Sequence, residues 1–542
     1  RYHKVTGVQT CALPICMFCF QCEQAAGGTG CSGSGHGTCG KSAEASRLQD
    51  LLLRLAERLA RQMVDRSSSS ESFDRMILNA LLATMTNVDF DPDHLETLCR
   101  RMGSACSRPL PASREDLLEM AERCGVESER RNTGCEMANR LSFLLFAIKG
   151  AAAYYHHAVE LGYCDPEISR YFRHALAYLV HPDLKPSEMI NLSLECGRNT
   201  LKILALLDKA HNEVFGSPEP TEVAVTPTAG KAILVTGHDL RLLREVLIAT
   251  EGTGINVYTH GELLPAHSYP KLRAFPHLVG NYGGSWHEQQ TEFAAFPGPV
   301  LVTTNCMMPP RDEYHERLFT AGAVRYPDVS HLEAGEYGAL ACVASSEPGF
   351  PLTVTPPRKI LVGFGHHALE AILPRIVELM RDGQIRRLFL IGGCDGAKTV
   401  RDYYTTLAEI IPQDCLILTL ACGKFRFNRQ EFGTIDGIPR LLDLGQCSDA
   451  HTAIVAIRRL AELMHTDVNS LPLSIILSWY EQKAVSILLA LFSLGVRNIR
   501  LGPGMPAFFS EDMKALLAQG YRLRPITTPE ADLAEALSNS PL

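Results

Sequence analysis

Nine short apolar runs after about residue 230 constrain the fold of this chain most strongly. Each has the length of a β-strand and is followed by a loop and often by a helical pattern. Alternation of this kind predicts parallel sheets covered by helices. The runs are KAILVTG, INVYTHG, PVLVTTN, KILVGFG, RLFLIGG, CLILTLA, RLLDLG, LSIILSW and RNIRLG. Their number, with a break at Pro356 and Pro357, predicts two such domains, at residues 226–357 and 358–542.

The preceding part of the chain has a helical pattern. Apolar residues recur three and four positions apart between Ser42 and about Leu207, interrupted by a serine-rich loop at residues 67–70. A stretch with three prolines, residues 218–227, is expected to be a linker. The predicted fold is therefore multidomain: N-terminal all-α helical bundles in residues 17–225, followed by two α/β Rossmann-like domains with parallel sheets.

The segment RYHKVTGVQTCALPIC, residues 1–16, has neither a helical nor a strand period and is directly followed by Met17. We expect Met17 to be the natural start and residues 1–16, with Cys11 and Cys16, to be a non-native leader. In a competing interpretation, Cys16 begins a bacterial ferredoxin motif. This motif requires its next cysteine at position 26, where the chain has Ala26.

Composition excludes several classes of function. Hydrophobic residues make up 46% of the chain and charged residues 21%, as in a globular protein. The net charge of −8 leaves no diffuse basic surface, so no nucleic acid is expected as a partner. The most apolar stretch, residues 471–495, is interrupted by Glu481, Gln482 and Lys483, so no membrane crossing is expected. Eighteen cysteines without a secretion signal favour a cytoplasmic location, where thiols bind metals, carry redox chemistry or pack.

Side chains that can bind a transition metal follow seven of the predicted strands. Any one of them alone is more often a packing or surface residue. Ligands of open parallel sheets bind beyond the carboxyl ends of the strands, so the joint placement predicts one site. Four thiolates, one imidazole and two carboxylates suit iron bound by sulfur and oxygen, whereas structural zinc commonly takes closely spaced cysteine pairs. The seven residues are His238, Glu262, Cys306, Cys394, Cys422, Cys447 and Glu481.

Four more cysteines follow Met17 within 21 residues, separated by glycine-rich turns. Cys19, Cys22, Cys31 and Cys39 fit a cubane iron–sulfur cluster, with a zinc ion in the same four sulfurs as the alternative. His36, in the last gap, is expected to be solvated. The remaining cysteines are expected to pack in helices and strands; they are Cys99, Cys106, Cys124, Cys135, Cys164, Cys196, Cys342 and Cys415.

One motif has the spacing of a dinucleotide fingerprint. Gly363, Gly365 and Ala368 lie between a predicted strand and a predicted helix. An acidic residue about 20 positions further on should end the next strand, but the region around Asp382 and Gln384 is a predicted turn. Binding of NAD is therefore disfavoured.

Several long motifs extend from Met17 to near the C-terminus. They are MFCFQCEQ, LVTGHDL, EGTGINVYTHGELLPAHSYP, NYGGSW, TTNCMMP, GGCDGA, ACGKFRFN and SWYEQKAV. These motifs resemble the hybrid cluster protein family, also called prismane proteins or hydroxylamine reductases. The resemblance implies an N-terminal helical domain, two Rossmann-like domains and two clusters.

By motif, the resemblance implies a conventional 4Fe-4S cluster on Cys19, Cys22, Cys31 and Cys39, although a longer-spaced variant of the family holds two irons there. It also implies a hybrid 4Fe-2O-2S cluster on His238, Glu262, Cys306, Cys394, Cys422, Cys447 and Glu481. In the family, the cysteine that matches Cys394 can carry an extra sulfur as a persulfide.

The resemblance further implies an enzyme that reduces hydroxylamine to ammonia and water, with electrons from a separate ferredoxin-like or flavin protein. We assign catalytic roles to Cys394, Glu481 and Lys483: Glu481 as a ligand that can also carry a proton, and Lys483 as a source of charge or a proton. A lysine that extends to the surface is the alternative for Lys483. The alternative functions are reduction of nitric oxide to nitrous oxide, transfer of nitroso groups to partner thiols, and a nickel-containing carbon monoxide dehydrogenase.

Overall fold

The structure, a computed structural model, describes residues 16–25, 29–33, 35–181 and 184–538. Cys11 and Ala26 lie outside the described residues. A pair of short antiparallel strands, β1 (Met17–Cys19) and β2 (Cys31–Gly33), precedes a helical region. The helices of that region are α1 (Ala43–Asp65), α2 (Glu71–Ala83), α3 (Pro92–Ala105), α4 (Arg114–Glu122), α5 (Val126–Thr133), α6 (Cys135–Glu160), α7 (Pro166–Leu179) and α8 (Pro186–Phe215).

Polar residues fix where several of these helices begin. The side chains of Ser42, Asp91, Ser113 and Asp165 accept hydrogen bonds from backbone N–H groups in the first turns of α1, α3, α4 and α7. Such caps satisfy amide groups that have no partner within the helix. The apolar faces of the helices pack on one another in a core that continues into the C-terminal part of the chain.

A first six-stranded parallel sheet follows, in the order β6-β5-β4-β7-β8-β9. Its strands are β4 (Ala232–Thr236), β5 (Asn256–His260), β6 (Leu278–Asn281), β7 (Val300–Val302), β8 (Leu318–Ala321) and β9 (Ser330–Leu332). The helices of this part are α9 (Leu240–Thr250), α10 (Pro270–Arg273), α11 (Gln289–Ala295), α12 (Asp312–His315) and α13 (Gly338–Ser346).

A second six-stranded parallel sheet has the order β15-β12-β11-β16-β17-β18. Its strands are β11 (Arg387–Gly393), β12 (Cys415–Leu420), β15 (Leu441–Asp443), β16 (Leu473–Ser478), β17 (Ile499–Gly502) and β18 (Arg524–Pro525), and β13 (Thr434–Ile435) and β14 (Ile438–Pro439) form a small hairpin. The helices are α14 (His366–Arg381), α15 (Asp402–Ile410), α16 (Ala450–Met464), α17 (Gln482–Ser493), α18 (Glu511–Tyr521) and α19 (Pro529–Ser538).

Both sheets have the same strand order. The first strand of each sheet lies in the middle, the next two strands extend the sheet on one side, and the last three extend it on the other. The two halves of each sheet meet between β4 and β7 in the first sheet and between β11 and β16 in the second. The crevice beyond the carboxyl ends of such a strand pair is the usual ligand site of this fold. The predicted multidomain fold with two parallel sheets is confirmed.

The prediction was wrong for one strand. The run KILVGFG forms β10 (Lys359–Val362), which pairs antiparallel with β3 (Thr221–Ala224) and not with the second parallel sheet. Part of the expected linker at residues 218–227 is therefore a strand. Local apolar patterns do not distinguish these pairings, because β3 and β10 are more than a hundred residues apart.

Helix α17 packs against α6 and α8 with almost no space between the backbones. A Cβ atom at Gly150 of α6 would lie 2.2 Å from the carbonyl oxygen of Gln482, and one at Gly197 of α8 would lie 2.1 Å from that of Leu489. Glycine is the residue that permits so close an approach. These contacts fix the first residues of α17 against the helical region.

Cysteines outside the predicted metal sites differ in burial. Cys99, Cys106, Cys196 and Cys415 are buried, as expected of packing residues. Cys135, Cys164 and Cys342 are exposed, so the prediction of packing was wrong for these three.

Among the described residues, no helix is both long and apolar enough to span a bilayer.

The glycine contacts yield a stability prediction. We expect Gly197→Ala to destabilise the protein by about 1–3 kcal/mol, because the added methyl group overpacks the contact between α8 and α17. Gly520→Ala is the control: this exposed position of α18 has open space around it, so alanine should stabilise the helix by up to about 1 kcal/mol. Thermal unfolding midpoints measure both effects, and equal midpoints for Gly197→Ala and wild type would contradict the prediction.

Candidate metal centre

The seven strand-end residues lie on loops that begin at the carboxyl ends of neighbouring strands. In the first sheet, His238 follows β4, Glu262 follows β5 and Cys306 follows β7. In the second sheet, the residues that follow β11, β12, β15 and β16 are Cys394, Cys422, Cys447 and Glu481, respectively. Each sheet therefore contributes residues from both sides of the point where its strand order reverses.

In each sheet, a glycine allows the two loops at the reversal point to approach each other. Gly237 precedes His238, and its Cβ would lie 2.4 Å from Oγ1 of Thr303 after β7. Gly393 precedes Cys394, and its Cβ would lie 2.0 Å from the carbonyl oxygen of Ser478 at the end of β16. Both glycines have positive φ angles, of 121° and 111°, which residues with side chains rarely adopt.

Three predicted ligands from the two sheets lie close together: His238, Glu262 and Cys447. One ligand atom from each lies within 4.8 Å of the others, and His238 Nε2 is 4.0 Å from Glu262 Oε2. The backbone N–H of Cys447 donates to Glu262 Oε2 at 2.8 Å. The Gln446 side-chain amide donates to the carbonyl oxygens of Glu262 and His238, at 2.6 and 3.1 Å. Residues from both sheets thus form one cluster.

Lys483 connects the loops that follow β7 and β16 to this cluster. Its buried ammonium group is 2.8 Å from Asn305 Oδ1, 3.1 Å from His238 Nε2 and 3.7 Å from Glu481 Oε1. Burial lowers the pKa of Lys483, but the negative charge that Cys447, Glu481 and other nearby cysteines carry when ionised more than offsets this and raises the pKa overall. Lys483 is therefore a buried cation of the site and not the surface lysine of the alternative.

The imidazole of His238 is oriented as a metal ligand requires. Thr304 Oγ1 lies 2.6 Å from the backbone nitrogen of His238, whose N–H donates to it, and 2.9 Å from His238 Nδ1. A proton on Nδ1 leaves the lone pair of Nε2 for the ammonium of Lys483 or for a metal. Burial, with the nearby Lys483 and His157, lowers the pKa of His238 well below its usual range, so the ring is neutral.

The sulfur-bearing side chains lie in an apolar pocket. Cys306 and Cys422 are buried with the rings of Trp286 and Tyr480, whose centroids are 4.5 Å apart, and Cys394 packs against this group. Burial raises the pKa of the Cys306 and Cys422 thiols well above the usual range and that of Cys394 to about 12. The thiols are therefore protonated without metal, and a metal has to displace their protons.

Two observations indicate that these residues fit an iron site with sulfur and oxygen ligands. Oε1 of Glu262 is buried and, within the described residues, has no hydrogen-bond partner. Cys306 and Ala421, the residue before Cys422, have positive φ angles of 74° and 64°. Strain of this kind costs about 1–3 kcal/mol and is concentrated at functional sites. A free carboxylate oxygen, an imidazole nitrogen and four sulfurs match the donors that iron accepts.

The four N-terminal cysteines also converge. Cys19 and Cys31 are paired across β1 and β2. Burial raises the pKa of Cys22 well above its usual range, and the thiols of Cys39, Cys19 and Cys31 raise it further. The ammonium of Lys41 lies 3.6 Å from Cys19 Sγ. His36 is exposed. Four neighbouring sulfurs with a buried cation beside them suit a negatively charged iron–sulfur cluster.

A buried ion-pair network links the two groups of cysteines. The fully buried guanidinium of Arg401 donates to the carbonyl oxygen of Cys394 and to the carboxylate of Glu23, each at 3.2 Å. Glu23 follows Cys22, and its backbone N–H donates to the carbonyl oxygen of Tyr480 at 2.8 Å. Sequence analysis missed Arg401, for which no local signal exists.

Sequence analysis also missed Thr304, Asn305, Gln446 and Tyr480. Each is adjacent in sequence to a predicted ligand or one residue removed from it, and a search of the ligands' neighbours for hydrogen-bonding side chains finds all four.

The glycines of the dinucleotide-like motif serve backbone packing. A Cβ at Gly363 would lie 2.3 Å from the carbonyl oxygen of Glu219, and one at Gly365 would lie 3.1 Å from the ring of Pro218. These glycines pack against the segment before β3.

The hydrogen bonds of Thr304 predict an effect on metal binding. We expect Thr304→Val to lower the affinity for the iron bound at the His238 site by about 10–100-fold, because the imidazole loses the hydroxyl that orients it. Thr304→Ser keeps a hydroxyl and should retain wild-type affinity. Anaerobic reconstitution with limiting iron, followed by iron analysis, measures the difference. Equal iron retention by Thr304→Val and wild type would contradict the role of Thr304.

Comparison with known proteins shows what the chain is similar to. Residues 17–534 match the Prismane/CO dehydrogenase family. Two relatives named hydroxylamine reductase, from Burkholderia lata and Geobacter sulfurreducens, are each 43% identical to the chain and cover 96% of it and 99% of their own length.

Solved structures share the fold. Carbon monoxide dehydrogenase IV from Carboxydothermus hydrogenoformans has a TM-score of 0.58 and 17% identity, covering 94% of this chain and 89% of that one. A nickel-free carbon monoxide dehydrogenase from Thermococcus sp. AM4 has a TM-score of 0.56 and 18% identity, covering 96% and 92%. From the family match and the identity to the curated relatives, the chain belongs to the Prismane/CO dehydrogenase family.

Proposed function

We propose that this protein is an iron–sulfur oxidoreductase that reduces hydroxylamine to ammonia and water. The observation that carries the proposal is the convergence of imidazole, carboxylate and thiol groups from both sheets around Lys483. Relatives with 43% identity over nearly the whole chain are named hydroxylamine reductase. The reaction, NH₂OH + 2e⁻ + 2H⁺ → NH₃ + H₂O, needs electrons, two protons and a site that holds the nitrogen–oxygen bond.

We propose two clusters, a 4Fe-4S cluster on the N-terminal cysteines and a hybrid 4Fe-2O-2S cluster where residues 17–225, 226–357 and 358–542 meet. The hybrid cluster would be held by His238, Glu262, Cys306, Cys394, Cys422, Cys447 and Glu481, and the other by Cys19, Cys22, Cys31 and Cys39. When bound, the hybrid cluster supplies electrons and a position for the substrate.

The protein's own groups supply protons and exclude water. Lys483 holds a proton on its ammonium group within 3.7 Å of the Glu481 carboxylate. Glu481 also accepts a hydrogen bond from the backbone N–H of Lys483 at 2.9 Å, which fixes it at the start of α17. Trp286 and Tyr480 cover the thiols from the other side. One proton from Lys483 to the departing oxygen completes the water molecule, and a second proton, passed to Lys483 through Glu481, completes ammonia, with the two electrons coming from the donor protein.

Electrons are proposed to come from a separate donor protein. Cys19 and Cys39 are partly exposed and close to the exposed residues Ser32 and His36. The buried Glu23 and Arg401 lead from this end to Cys394. This arrangement fits delivery of electrons at the N-terminal cysteines.

The ligand assignment is tested by two substitutions. We expect Cys394→Ala and Glu262→Gln each to abolish hydroxylamine reduction, because each removes a ligand from the same centre. Cys415→Ala is the matched control and should keep wild-type turnover: Cys415 is buried at the start of β12, seven residues before Cys422 and at the opposite end of the strand from the site. Iron, sulfide and ammonia are measured for all three. Turnover retained in both ligand variants would refute the proposed function.

The proton-donor role of Lys483 predicts a defect in catalysis. We expect Lys483→Met to lower kcat by about 100-fold, because a positioned acid typically contributes 10²–10⁴-fold. Lys202→Met, at an exposed position of α8, should leave kcat unchanged, and Lys483→Arg should recover little because an arginine does not release a proton. A wild-type kcat for Lys483→Met would exclude this role.

A further inference from the structure

A small cavity lies beside the candidate metal centre, between the second sheet and helices α16 and α17. It has a volume of about 60 Å³, and its lining includes Cys394, Cys447, Lys483 and Tyr154. The rest of its wall is largely aliphatic and includes Ile454 and Leu488. Because roughly 10–15 Å³ suffices for one water molecule, the cavity has room for a small uncharged molecule of a few atoms.

Tyr154 brings an unused hydrogen-bond donor to this cavity. The residue is 1% exposed, and its hydroxyl meets no partner at hydrogen-bond geometry within the described residues. The ionisable groups around it are Cys447, Glu481 and Cys394. A buried hydroxyl without a partner is unfavourable, so an acceptor is expected to occupy the cavity that Tyr154 lines.

The position of Tyr154 is fixed by the packing of its helix. Gly150 lies one turn earlier on the same face of α6, and its Cα is held against the carbonyl of Gln482. Tyr154 is thereby placed next to the first turn of α17, which carries Lys483. The ammonium of Lys483 is already engaged by Asn305 and His238. The hydroxyl of Tyr154 has no partner at hydrogen-bond geometry among the described residues, and the sulfur of Cys447 is the ionisable group that interacts with it most strongly.

We propose that Tyr154 donates a hydrogen bond to the oxygen of the small nitrogen–oxygen molecule bound in this cavity, and is therefore a substrate-binding residue. This inference rests on the proposed function. The aliphatic wall favours the neutral form of such a molecule, because a charged form would be desolvated without a counter-ion. The hydroxyl supplies the directional contact that the wall lacks.

Tyr154→Phe tests the proposal, with Tyr155→Phe as the matched control on the same helix. The Tyr155 hydroxyl bonds to Asp165 and Ser169, away from the cavity. Both variants keep the aromatic ring. Hydroxylamine is titrated anaerobically into the cluster-loaded proteins, and the Kd per loaded site is followed by electron paramagnetic resonance, together with KM, kcat, iron content and the midpoint potential of each cluster.

We expect Tyr154→Phe to raise Kd and KM by up to about 10-fold, as the loss of one hydrogen bond requires, with iron content and potentials unchanged. Tyr155→Phe should match wild type. Unchanged Kd and KM in Tyr154→Phe overturn the proposal, and a shifted midpoint potential with unchanged Kd assigns the hydroxyl to the Cys447 sulfur instead. Wild-type protein that binds hydroxylamine without reducing it refutes the proposed function, and the Kd comparison still decides the role of Tyr154.

Discussion

The buried ammonium of Lys483 is the interaction on which the candidate metal centre depends. A charge removed from water is tolerated where hydrogen bonds and opposite charges surround it. Here they come from separate segments, since Asn305 and His238 belong to loops of the first sheet and Glu481 precedes α17 in the second. The lysine therefore joins the carboxyl ends of both sheets. If iron were bound at Nε2 of His238, the ammonium would have to leave that atom but could keep Asn305 and Glu481.

Close backbone contacts make this convergence possible. Gly150 and Gly197 hold α17 against the helical region, and Gly237 and Gly393 let neighbouring loops meet at the two strand reversals. The left-handed backbone of Cys306 adds local strain. The surrounding core holds these backbone positions in place and thereby fixes the geometry of the side chains. A metal centre with several ligands needs this rigidity, because small displacements of its ligands weaken metal binding. The helical region therefore serves as a third wall of the site as well as a carrier of the N-terminal cysteines.

Sequence patterns predicted more of the site than of its surroundings. Parallel strands place their carboxyl ends at one edge of a sheet, so residues such as His238 and Cys394, which are far apart in sequence, were expected near a common site. The pairing of β10 with β3 was not predicted, because an apolar run does not reveal its partner. Arg401 and Tyr154 were missed for a similar reason. Besides the nearby Cys394, Arg401 bonds to Glu23 and Ser478, which are more than seventy residues away, and the cavity that Tyr154 lines is formed by equally distant segments, so nothing in the local sequence marks either residue.

The sequence by itself determined that a helical region precedes two parallel sheets, the family, and the metal-binding side chains that follow seven of the strands, because periodicity and loop position are local properties of the chain. Only the tertiary structure decided how the two sheets face each other, which side chain is the buried cation and which hydroxyl is left without a partner. These properties depend on the packing of α6, α8 and α17 against the strand ends. Packing is set by the shapes and charges of segments that meet only when the chain is folded.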